Sequence, residues 1–104
     1  MAKFVLAYRG GSMAQTEAEQ EAVMGKWMGW FGSLGAAVVD GGAPFGEAKT
    51  VGTDGSLKGG GSGGLTGYSI LEAGTIDDAC SMAKSCPVLE NGGTVDVYEA
   101  VPVG

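Results

Sequence analysis

Residues 53–69 read TDGSLKGGGSGGLTGYS, and the meaning given to the GGGSGG at 59–64 decides the fold. As a linker it would divide 104 residues into two halves, each too short to bury a core of its own. One domain spanning 1–104 is therefore expected, with the glycines inside it. Gly59, Gly61 and Gly64 satisfy G-x-G-x-x-G, but that fingerprint needs a strand before it and a helix after it to hold a pyrophosphate. Here a strand-like segment follows, GYSILEA at 67–73, with Tyr68, Ile70 and Glu72 on one face and Ser69 and Leu71 on the other. A phosphate loop fails too, because Lys58 precedes the glycines. What is left is a connection between two strands, either slack or a lid over a cleft.

Outward from that stretch the chain alternates strands and helices. KFVLAYR at 3–9 sets Phe4, Leu6 and Tyr8 against Val5 and Ala7, a strand apolar on both faces. Thr16-Glu17-Ala18-Glu19 has the capping-box spacing and opens a helix whose apolar stripe is Val23, Trp27, Trp30, Phe31 and Leu34. Met24 and Met28 are expected to broaden that stripe, and Gly35 to end it. Short strands are expected at 36–40 and 48–51, with a turn at 53–56 between the second of these and the glycines. Gly74-Thr75 starts a second helix with Asp77 and Asp78 in its first turn, and TVDVYEAV at 94–101 makes a last alternating strand. The predicted class is α+β, a ferredoxin-like antiparallel sheet with two helices on one face. Two helices leave the other face bare, so a homodimer packed through the sheets is expected. The 21 glycines point the same way, because each ordered glycine opposes folding and calls for burial elsewhere.

Charge narrows the partners. The net charge is −6, and Lys3, Arg9, Lys26, Lys49, Lys58 and Lys84 form no basic stripe, which argues against nucleic acid. No apolar run reaches transmembrane length, and the opening apolar run is too short for a signal peptide, so a cytoplasmic location away from membranes is the expectation. Cys80 and Cys86 stand six apart in the predicted second helix, too far along its axis to bridge, and with no histidine in the chain they match no usual zinc pattern. Two reduced packing cysteines, no metal and no cofactor are expected.

Segments along the whole chain resemble the YCII-related domain family. They are Tyr8-Arg9-Gly10-Gly11-Ser12, WFGSLGAAVVDGG at 30–42, AKTV at 48–51, LTGYSILEA at 65–73 and SCPVLENGGTVDVYE at 85–99. The resemblance implies a dimeric α+β barrel. It also implies a cleft in which a histidine and an aspartate could work together, and the aspartate's place here is Asp40. The absence of histidine removes the side chain that ordinarily titrates near neutrality. Asp40 is the candidate catalytic base, or a turn residue before Gly41-Gly42. Arg9, Lys49 and Tyr68 are the candidate ligand-binding residues for a small anionic metabolite in a lyase or isomerase type of reaction. A non-enzymatic dimeric protein-binding or regulatory module is the alternative.

Overall fold

The computed structural model describes residues 1–10, 16–60 and 64–103. The central part of the glycine stretch, 61–63, and the Gly11-Ser12 end of the first motif lie outside the described residues. The chain is α+β. Strand β1 (Ala2–Arg9) leads to helix α1 (Glu17–Leu34) and strand β2 (Val38–Pro44). Strands β3 (Lys49–Val51) and β4 (Leu57–Gly59) form a hairpin, followed by β5 (Leu65–Ala73), helix α2 (Ile76–Ala83) and β6 (Thr94–Ala100). Short 3-10 helices occupy Gly35–Ala37 and Pro87–Asn91.

Four strands make one antiparallel sheet in the order β2-β5-β1-β6, so two strand–helix–strand units interleave with β1 and β5 at the centre. The β3–β4 pair is a separate two-stranded sheet. The predicted strand at 48–51 exists, but it pairs with Leu57–Gly59, a segment the sequence reading left unassigned, and not with the main sheet.

Alternation along β1 sorts the two faces. Phe4, Leu6 and Tyr8 point to the helices and are buried with Leu71, Ala73, Trp30, Ala79, Ala83, Cys86 and Val88. Both helices begin as their cap residues dictate: the Glu19 N–H donates to Thr16 Oγ1 and the Asp78 N–H donates to Thr75 Oγ1, each at 3.1 Å. Gly35 ends α1 as expected. The aromatic stripe is indeed core: Trp27 meets Tyr8 edge-on at 5.1 Å, Trp30 and Phe31 complete the cluster, and the Trp30 indole N–H donates to the Met82 carbonyl.

Two expectations need correction. Met24 and Met28 do not join the core; they are 63% and 64% exposed. An 18-residue helix is about 27 Å long, and its packing residues Trp27, Trp30, Phe31 and Leu34 all lie in its C-terminal half, so the earlier turns overhang. Helix α2 stops at Ala83, so Cys86 is not in the same helix as Cys80 but caps the following 3-10 turn. Pro87 occupies the first position of that turn, and the residue before a proline is driven to extended geometry, as Cys86 is at ψ 132. Both cysteines are free thiols.

Candidate functional site

The face of the sheet away from the helices carries the candidate site. Residues directly opposite in an antiparallel ladder share a face, and the register places Val5 beside Ile70 and Tyr98, and Ala7 beside Tyr68 and Asp96. Arg9 follows two residues after Ala7 on the same face. Asp40, opposite Ile70 on the edge strand β2, completes the set.

Asp40 owes its position to a bulge. The β2–β5 register slips on either side of it, and the slip between Asp40 and Ala43 contains Gly42, whose φ of 78° suits glycine and whose missing side chain admits the Tyr68 carbonyl. A Cβ at Gly42 would collide with that carbonyl. The Gly42 N–H then donates to Asp40 Oδ1 at 2.8 Å, and the Tyr68 hydroxyl donates to Oδ2 at 3.3 Å. Asp40 is thus both a turn residue and a partner of Tyr68. Phe45, just past β2, stacks on the Tyr68 ring at 5.8 Å with 22° between planes.

Across β1 stands a second polar pair. Arg9 Nε donates to Asp96 Oδ2 at 2.8 Å, with both side chains a little over one third exposed. That hydrogen bond raises the guanidinium pKa above its usual value. Between the two pairs Ala7 is only 7% exposed, so an apolar floor separates them.

Of the four residues singled out from the sequence, Asp40 and Tyr68 are in contact and Arg9 shares their face. Lys49 does not join them. It lies on β3 in the other sheet, exposed, and makes a 3.9 Å ion pair with Glu47.

Three features were missed. Asp96 is legible only once β6 is registered against β1. Phe45 lies between the two short strands expected at 36–40 and 48–51, where no element was assigned. On the helix face, the buried Tyr8 hydroxyl donates to Ser69 Oγ, and the Ser69 hydroxyl donates to the Gly41 carbonyl, both at 2.7 Å. Burial pushes the Tyr8 phenol pKa far up and raises that of the neighbouring Cys86 thiol. A serine alternating with leucine on an inward face was the available signal for this network.

At the opposite end of β1 and β5 an open cleft of about 520 Å³ is lined by Ala36, Ala37, Glu72, Ala73, Asp78 and Met82, among others, and by none of the four candidate residues. Among the described residues no group of three or more His, Cys, Asp or Glu side chains is gathered to hold a metal ion. No described helix is long and apolar enough to cross a membrane. No protein family and no curated protein matches the chain.

Proposed function

We propose that this chain is a YCII-related protein that pairs through its uncovered sheet face as a dimeric α+β barrel and binds a small anionic metabolite there. Arg9 supplies the cation, and Asp40 with Tyr68 supplies the proton acceptor and donor for a lyase or isomerase type of step. The observation that carries this reading is the placing of Arg9–Asp96 and Asp40–Tyr68 on one sheet face, on either side of an apolar floor. Val5, Ile70, Tyr68 and Tyr98 on that face have neither described helix over them, and surfaces of that kind mark contacts with other molecules.

A second reading draws on the 2.8 Å bond from the Gly42 N–H to Asp40. In that reading Asp40 shapes the bulge only, and the chain is a non-enzymatic dimeric module that binds protein.

A thermal-shift screen of carboxylates and phosphate esters at fixed protein concentration separates the two. Ligand at a hundred times its dissociation constant adds about 2.7 kcal/mol to stability. The expected result is a shift with at least one class of anion that is lost in Arg9→Ala and in Asp40→Asn. No shift across the panel, or one that survives both substitutions, removes the metabolite site and leaves the binding module.

A further inference from the structure

The β3–β4 hairpin is thermodynamically odd. A lone two-stranded hairpin is marginal in water, and this one has three residues per strand. Val51 and Leu57 face each other across it, and each is 66% exposed. Such a directly opposed apolar pair stabilises a ladder when something covers it. Among the described residues of the single chain it stays largely exposed.

The surface area says what would. The chain exposes 6871 Å², whereas a folded monomer of its size exposes about 5400 Å². The excess of roughly 1500 Å² exceeds the ~800 Å² that each partner buries in a stable complex. Four strands about 4.8 Å apart and some seven residues long make a face of about 20 by 24 Å, and a contact through it need not end at its edge. The apolar surface does continue past the sheet: Tyr68 passes it to Phe45, which is 47% exposed and lies four residues before the hairpin.

We propose that the β3–β4 hairpin is an arm that closes on a second copy of this chain, burying Val51 and Leu57 and extending the sheet-to-sheet contact beyond the sheet. The proposal rests on the sheet-face dimer put forward above. Two bonds at the hairpin tip suit an arm: Asp54 Oδ1 accepts the Ser56 N–H at 2.9 Å, and the Gly52 N–H donates to the Ser56 carbonyl at 2.7 Å, which fixes the turn from within.

Sedimentation equilibrium of the full chain, of the Val51→Ser/Leu57→Ser double variant and of Ile70→Asp tests it. The expected result is a dimer whose dissociation constant rises at least tenfold in the double variant and which Ile70→Asp also breaks. A dimer unaffected by the double variant but broken by Ile70→Asp overturns the arm and keeps the sheet contact. A wild-type monomer at tens of micromolar overturns both. A mixed dimer of isotope-labelled and unlabelled chains gives a reading free of substitutions: contacts between the Leu57 methyls and the other protomer are expected, and their absence in an established dimer overturns the arm.

Discussion

Gly42 concentrates the local physics of the site in one residue. Its φ of 78° lies where a side chain costs about 1–2 kcal/mol, and its missing Cβ is the space taken by the Tyr68 carbonyl. Gly42→Ala must therefore strain the backbone and push β2 from β5, and we expect it to destabilise the fold by about 3 kcal/mol. Gly55 has a similar φ of 85° but open space around it, so Gly55→Ala should lose only about 1 kcal/mol. Urea midpoints of the two variants check this; equal losses would mean that the carbonyl contact is unimportant. The sequence showed a strand at 36–40 that ends in a turn at Gly41-Gly42, whereas β2 starts at Val38 and runs on through both glycines to Pro44. The sequence could not show that the turn is a bulge inside a strand, because a bulge is defined by the partner's register, here that of Tyr68 and Ile70.

At the scale of elements, what could be read early was whatever short-range chemistry fixes. Thr16 and Thr75 announce their helices through caps that reach only three residues, and the expected alternation holds in β5 and in the first half of β1, though not in the burial along β6. Long-range choices were not legible. Lys49–Val51 carries no mark saying that it pairs with Leu57–Gly59 instead of the main sheet, and Met24 and Met28 fit a helical stripe as well as Trp27 does. The candidate site divides in the same way. Asp40, Tyr68 and Arg9 share a sheet face and could be guessed from strand ends, while Asp96 needed the β1–β6 register.

The buried bonds joining β1, β5 and β2 through Tyr8, Ser69 and Gly41 make a pH prediction at this scale. The folded protein holds the Tyr8 and Cys86 protons more tightly than the unfolded chain, because burial raises both pKa values. Above the ordinary ranges of about 8.5 for a thiol and 10 for a phenol, the unfolded chain releases protons that the folded one keeps. Stability is then fully present below about pH 8 and falls as pH climbs through this window. Chemical denaturation at pH 7 and pH 10.5 should show the fall, with a shallower one in Tyr8→Phe. Identical slopes for the two proteins would remove Tyr8 from the effect.

As a whole the molecule is a slab, 44 × 43 × 19 Å, with a radius of gyration of 15.0 Å where about 13 Å is usual for this length. One layer of sheet and one of helix account for the thin dimension. The proposed dimer would add the burial that a chain so rich in glycine calls for. Composition raised the expectation of a partner but could not indicate which surfaces stand open to one, since the hairpin, the overhanging part of α1 and the bare sheet face are all products of long-range pairing.

The strand order also dictates how the slab comes apart. β1 and β5 have ladder partners on both sides, while β2 and β6 are each held along one edge and the hairpin strands hold only each other. Amide protons of β1 and β5 should therefore exchange with deuterium last, through global opening, and those of β2 and β6 earlier. Mass-resolved exchange would read the sequence of events directly, and a β2 as slow as β5 would refute it. Asp40 belongs to the strand that lets go early. The candidate site is thus built half on the most persistent part of the protein and half on a part that visits open states on its own, before the rest unfolds.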